Sequence, residues 1–518
     1  MSRTENVSRN LYWGILNKFI ALGLPFLTRT VMIYTLGMDY VGLGSLFSSI
    51  LNVLSFAELG IGSALVFSMY KPMAEKNDSK VCALLNLYRI TYRIIGIIIL
   101  IIGLVLIPFL DNLVAGDLPV GINLRILFLI YLCNNLLGYF LFAYKQSLFT
   151  ASQRVDVISK VNMFLQLISG SIQIFILLFL RNYYIYISVI PFITILNNVI
   201  VAHLANKEFP QYQCSGLVDK IEITEIKRKV GGMLFQKIGT IILTSADTIV
   251  ISSFLGLKIL GVYNGYYYII SSLFGFLQVI EQALIPSIGN SIVSETVDKN
   301  LSDFKRFQFM YMWIVIWWSS CLLTLIQPFV KLWQGQQNML SDSIVILMVI
   351  YFFVHTMGNI NALYREAIGL WWETRFVPVI SSFVNLFLNI ILVQKIGLYG
   401  IILSTVFAIV FINFPFGSKV TFSHYFKSIK EWHSYMVRTG LYFITMLIIS
   451  YVTWKVCILI PGQGFGNLIL RGIVCAILPN ILLIVFNFKN PEFKPAGQFV
   501  MRMLPNRFVP AVVRRFFS

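Results

Sequence analysis

A chain of 518 residues that is 58% hydrophobic and only 12% charged carries about half the charge of a soluble globular domain, where about 25% of residues are charged. With a mean hydropathy of +0.79, most of it must lie in lipid, which excludes a soluble catalytic domain. The formal charge of +18 does not point to nucleic acid, because the basic residues are scattered between apolar runs. The 6 cysteines show no CxxC spacing, so neither a disulfide framework nor a metal site is expected, and no cofactor is implied.

A helix needs about 20 apolar residues to cross the hydrocarbon. The sequence predicts an all-α, polytopic protein with about fourteen transmembrane helices. In chain order they cover 10–36, 42–68, 88–110, 122–144, 157–180, 183–205, 231–255, 260–288, 309–330, 343–364, 376–395, 398–417, 438–460 and 467–487. The first apolar stretch runs past residue 30 without a cleavage site and reads as an uncleaved first helix. The largest polar loop, 207–230, is basic and divides an N-terminal lobe, 1–206, from a C-terminal lobe, 231–420. Accessory helices follow over 421–488, then a basic tail over 489–518 that is expected to lie against anionic headgroups.

An even number of spans puts both termini on one side. Most of the 40 lysines and arginines then fall on that side, including Lys71, Lys76, Lys80, Lys227, Arg228, Lys229, Arg365 and Arg375. Few fall on the other, among them Arg125, Arg181 and Lys258. The bias predicts cytoplasmic termini.

The two lobes carry a repeat. Leu36-Gly37-Met38-Asp39-Tyr40-Val41-Gly42 matches Leu255-Gly256-Leu257-Lys258-Ile259-Leu260-Gly261, and the same offset places Asn17-Lys18 on Gln236-Lys237. Six helices precede the central loop, so both copies start in the same orientation. This is a parallel repeat with its pseudo-twofold axis along the membrane normal, as in several transporters.

Polar residues recur at helical spacing inside the apolar runs. The second span has Ser45, Ser48, Asn52, Ser55 and Glu58; the fourth Asn134 and Asn135; the fifth Asn162, Gln166, Ser169 and Gln173. The seventh has Lys237, Thr240, Thr244 and Asp247; the eighth Asn264, Tyr267, Ser271, Gln278 and Glu281; the tenth His355, Asn359 and Asn361. Lipid cannot satisfy these groups. Some can be glue between helices, but stripes on so many helices favour a wet cavity. Its candidate lining is Asn17, Lys18, Arg29, Asn52, Asn134, Gln166, Gln236, Lys237, Tyr267, Gln278 and His355.

Lys18, Arg29, Lys237, Glu58, Asp247 and Glu281 are full charges within spans, and such residues are functional candidates by default. At 1.5 Å of rise per residue, Lys18 and Glu58 come to about 28 and 24 Å below the outer turn. Lys237 and Glu281 come to about 28 and 30 Å. Each lobe is thus expected to hold a Lys–Glu pair near one mouth. Arg29 and Asp247 come to about 12 and 13.5 Å and are candidates for an outer gate.

The opening residues Arg9-Asn10, Gly14, Arg29, Leu36-Gly37, Tyr40 and Gly42, then Glu58-Leu59-Gly60-Ile61-Gly62 and Tyr70-Lys71-Pro72, resemble the start of Wzx-type polysaccharide flippases. These belong to the multidrug/oligosaccharidyl-lipid/polysaccharide export superfamily. The resemblance implies two six-helix lobes around a central cavity, with two accessory C-terminal helices. It implies a bacterial plasma membrane and an undecaprenyl-diphosphate-linked oligosaccharide cargo, moved outward by alternating access for surface polysaccharide synthesis. Membrane lipids and a polysaccharide polymerase are the implied partners, and nucleic acid is not.

Two other functions compete. A cation-coupled multidrug exporter of the same superfamily predicts an acid-lined cavity and fewer helices. A membrane polymerase or glycosyltransferase predicts a long outer loop with catalytic groups, whereas the outer acids Asp39, Asp111, Asp117 and Asp342 are scattered over short turns.

Overall fold

The computed structural model describes residues 3–503 apart from Leu59 and Gln463. Within that range the side chains of 3–12, Ile15, Phe56, Ala57, 221–222, 225–237, Thr240, Thr244 and 502–503 lie outside the description. Every regular element among the described residues is helical. They are α1 (Arg3–Thr35), α2 (Met38–Leu54), α3 (Ile61–Ala74), α4 (Asp78–Leu106), α5 (Leu124–Phe140), α6 (Gln146–Ala151), α7 (Val155–Phe175), α8 (Tyr183–Glu208), α9 (Lys220–Leu255) and α10 (Leu257–Ser294). There follow α11 (Val297–Gln334), α12 (Asp342–Thr356), α13 (Asn359–Ile368), α14 (Phe376–Ile396), α15 (Leu398–Ala408), α16 (Phe414–His424), α17 (Ile429–Ile458), α18 (Phe465–Asn487) and α19 (Phe493–Met503).

Among the described residues, 11 helices are long and apolar enough to span a membrane, or 12 if the bent pair Leu124–Phe140 and Ala143–Ala151 is one span. Two shorter apolar helices, Met38–Leu54 and Ile241–Leu255, fall in the second and seventh of the fourteen expected spans. The chain is a multi-pass membrane protein.

Helix starts follow ordinary capping chemistry. Each exposed first turn leaves amides without partners, and a short polar side chain supplies one. The Asn77 side chain accepts from the amide of Lys80, that of Thr296 from Lys299, and that of Asn123 from Arg125 and Ile126. Asn77 and Thr296 open α4 and α11 and stand at the same repeat offset as the two glycine turns.

The chain clusters into two compact units, Met1–Gly265 and Tyr266–Ser518. In the first, α1 packs on α7, α2 on α9 and α5 on α8. The repeated turns touch each other there. A Cβ at Gly42 would collide with the Leu257 carbonyl, and one at Gly261 with that of Met38. Only glycine lets the two backbones approach so closely.

In the second unit α11 is the central post. Its Trp313 and Trp317 indoles donate to the Asn480 side chain and the Cys475 carbonyl of α18, both at 2.9 Å. Gln308 reaches Thr439 of α17 at 3.1 Å. Between α14 and α15, Asn385 donates to Thr405 at 2.8 Å, and Ser404 donates to Asn389. All four are buried, so these amides are interhelical glue.

Candidate functional site

The second apolar run is broken in its middle. A 3₁₀ turn, Ser55–Glu58, follows α2, and Gly60 takes a left-handed φ of 89° before α3 resumes. A side chain with a Cβ would be strained there. The break presents Glu58 to two tyrosines. One carboxylate oxygen accepts from the Tyr92 hydroxyl of α4, the other from Tyr139 of α5 at 2.7 Å. Tyr88 donates to Tyr92 at 3.1 Å, and Asn135 donates to Ser55 at 3.1 Å. A polar cavity of about 450 Å³ opens beside the carboxylate, with Asn135, Gln146, Thr150 and Asn198 also in its wall.

The second unit repeats this holder. Glu281 of α10 accepts from the Tyr311 hydroxyl of α11 at 2.6 Å and from the Asn359 amide of α13 at 2.7 Å. Tyr92 and Tyr311 stand at the offset of the glycine turns, and Tyr139 and Asn359 lie one residue from it. Glu281 comes one helical turn later than that offset requires, which keeps it on the same helix face. Here α10 runs unbroken.

A second cavity, of about 110 Å³, lies between α12–α13 and α15–α16. Its wall includes His355, Asn359, Asn361, Arg365, Asn413 and Ser418. It is the repeat counterpart of the Glu58 cavity, with Arg365 at the offset position of Gln146.

The predicted site residues fall as follows. Glu58 takes its hydrogen bonds from tyrosines rather than from Lys18, which is half-buried on α1 with no partner among the described residues. Depth along a helix fixes a level but not a direction around the axis, so equal depth did not make a pair. The side chains of Gln236 and Lys237 lie outside the described residues, and so does the second expected pair.

Arg29 donates to the Asn264 carbonyl at 2.8 Å, and Asp247 is buried on α9. Asn52 donates to Ser245 at 3.0 Å, and Asn134 accepts from Thr194 at 2.7 Å. The side-chain oxygens of Asn17 and Gln166 are buried without a hydrogen-bond partner among the described residues. Tyr267 lies 6.5 Å from the Tyr351 ring, and Gln278 is exposed on α10. His355 packs on the ring of Phe274, 4.5 Å away.

Sequence reading missed Tyr92, Tyr139, Tyr311 and Arg365. The tyrosines were findable, since the repeat offset links Tyr92 to Tyr311. Arg365 was assigned to a loop because it follows the last strongly apolar residues of its span.

The chain is thus a polytopic helical protein with polar cavities and ionisable side chains set inside its spans. The chain matches the model of the polysaccharide biosynthesis protein family over residues 7–292, and it belongs to that family. The recognition drawn from its opening motifs holds at that level. No curated protein sequence matches. Among solved structures, a lipid II flippase, MurJ, in an inward closed conformation is similar with a TM-score of 0.63 at 16% identity, covering 92% of this chain and 99% of that one. A multidrug resistance MATE family transporter of the MOP superfamily, inward-facing, gives 0.59 at 12% identity, over 82% of this chain and 95% of that one. A MATE protein in complex with MaD3S gives 0.52 at 13% identity, over 82% and 97%. At these identities the likeness is one of fold.

Proposed function

We propose that this protein is a flippase for lipid-linked oligosaccharides. It carries an undecaprenyl-diphosphate-linked repeat unit from the cytoplasmic to the outer leaflet of a bacterial plasma membrane by alternating access, with both termini cytoplasmic and without a catalytic step. One observation carries the reading: a member of a polysaccharide biosynthesis family whose charged and polar side chains are set inside apolar spans. A membrane polymerase or glycosyltransferase predicts a long outer loop with catalytic groups, and the outer acids Asp39, Asp111, Asp117 and Asp342 are scattered. A flippase needs cations and amides within the membrane.

In the first unit, Lys18 and Arg29 are the proposed contacts for diphosphate, and Asn17, Asn52, Asn134 and Gln166 for sugar hydroxyls. Lys237 and Gln236 take the corresponding roles in the repeat, and Tyr267, Gln278 and His355 serve in the second unit. Arginine suits diphosphate because its planar fork binds oxyanions bidentately and stays charged. Arg29 and Asp247 form the proposed outer gate. An apolar cleft of about 360 Å³ walled by Ile269, Leu273, Trp317, Trp318, Leu325 and Phe329 suits a prenyl chain. A polysaccharide polymerase that takes up the delivered unit is the proposed partner.

Glu58, a carboxylate in a polar cavity, favours a second reading, a cation-coupled drug exporter. Lipid analysis of a deletion strain separates the two. Accumulated lipid-linked repeat units on the inner leaflet support the flippase. A normal lipid pool with raised drug sensitivity would replace it with the exporter.

A further inference from the structure

The smaller cavity of the second unit has the composition of an anion site. Arg365 lies in its wall, half-buried, and makes no ion pair or side-chain hydrogen bond with any described residue. Asn361 is 2% exposed; its oxygen accepts from Thr421 at 3.2 Å, while its amide nitrogen is buried with no partner. Asn413 and His355 add two further polar groups to the wall, again without a hydrogen-bond partner among the described residues. No carboxylate lines the cavity. Glu281, on the adjoining network, is already held by Tyr311 and Asn359. Glu366, next to Arg365 in sequence, forms no salt bridge with it among the described residues, although its charge acts on the guanidinium.

A buried donor without a partner costs about 1–3 kcal/mol, and more when charged. The Asn361 amide is such a donor, and the half-buried Arg365 guanidinium stands beside it in the same wall, so one bound acceptor would serve both. The backbone is shaped to permit it. A Cβ at Gly417 would lie 2.7 Å from Nη1 of Arg365, so the glycine leaves room for the guanidinium. The span that provides Asn413 widens into a π-helical turn over Ile409–Asn413 just where it meets the cavity, and such turns are frequent at functional sites. A volume of about 110 Å³ holds a tetrahedral oxyanion with little water, since each water takes about 30 Å³. The counterpart cavity in the first unit has Gln146 where Arg365 stands and adds Glu58. Two cavities thus stand at one repeat position and differ in charge.

We propose that the α12–α13/α15–α16 cavity binds one phosphoryl-type oxyanion, held by the Arg365 guanidinium and the Asn361 amide. The site stands on the cavity alone; only assigning the oxyanion to the cargo rests on the flippase reading. The phosphoryl group could belong to a lipid diphosphate or to free phosphate, and the probes distinguish them.

Thermal unfolding of the full chain in detergent is followed with inorganic phosphate, pyrophosphate and farnesyl diphosphate at constant ionic strength, with chloride as control. A saturable rise in Tm is expected for the wild type. The apparent affinity should fall at least tenfold in Arg365→Gln and partly recover in Arg365→Lys. Binding of farnesyl diphosphate through Arg365 assigns the site to the cargo, and binding of phosphate alone assigns it to a free anion. Both support the site. An identical shift in Arg365→Gln, or no shift with any probe, overturns it. Should Arg365→Gln fail to fold, equilibrium dialysis of radiolabelled phosphate against the wild type decides: less than one bound equivalent at saturation overturns the site.

Discussion

A carboxylate inside hydrocarbon persists only where donors replace its water. Glu58 and Glu281 each solve this with two donors, a tyrosine first and a tyrosine or an asparagine second. A hydrogen bond to a charged group contributes about 1.5–3 kcal/mol. Tyr139→Phe and Tyr311→Phe should therefore each destabilise the protein by about that amount in denaturant unfolding. Lys18→Ala should stay within about 0.5 kcal/mol while transport falls. Equal losses of stability in Lys18→Ala and Tyr139→Phe would instead restore Lys18 as the structural partner of Glu58. The glutamates were legible in the sequence because an acid in an apolar run stands out. Their tyrosines were not, because tyrosine is unremarkable in a membrane helix and only the repeat offset marks it. Arg365 was missed for a third reason: hydropathy averages over a window, and a buried cation at the end of a span looks like the start of a loop.

At the scale of the element, the long helices were readable from apolar length alone, whereas the breaks were not. The short α2, the 3₁₀ turn at Ser55–Glu58 and the π-helical turn at Ile409–Asn413 interrupt spans that hydropathy treats as continuous. The tail was read as a basic segment against headgroups. Its described part, α19, has one face packed on the protein: the Phe493 ring lies 6.1 Å from Trp313 and 6.5 Å from Phe309, and Phe499 lies 5.6 Å from Phe307. Glu492 leads into this helix. Burial raises its carboxyl above the ordinary range; Arg438, Lys305 and Arg306 oppose that shift, and Asp303 adds to it. A carboxyl raised in the folded state binds its proton more tightly there than in the undocked segment. Docking is thus weakest at neutral pH, strengthens as pH falls through the raised pKa, and levels off below the ordinary carboxylate value. Hydrogen exchange over 493–503, corrected for intrinsic rates, should slow between pH 7 and pH 5. In Glu492→Gln that slowing should vanish; if it survives the substitution, another group is responsible.

For the whole molecule, lysine and arginine placement predicts the side on which each loop lies, and that orientation is open to direct test. Epitope tags after Ser518 and within 207–230 should be protected in intact cells and accessible after permeabilisation. Labelling of either from outside would reverse the proposed orientation and, with it, the direction of transport. The internal repeat was legible at the glycine turns, where the backbone itself constrains the residue type. It was nearly invisible elsewhere, because apolar residues substitute for one another freely in lipid.

Gly42 meets the carbonyl of Leu257, and Gly261 meets that of Met38, so the contact is the same pair of atoms taken twice. Such reciprocity is the signature of a self-complementary interface, like that of a symmetric homodimer. A single-copy ancestor would have carried both sides of this junction on one surface and could close by pairing with a second chain. In a fused chain each copy can change alone. The glycines stayed where backbone meets backbone, while the paired cavities were free to take opposite charges.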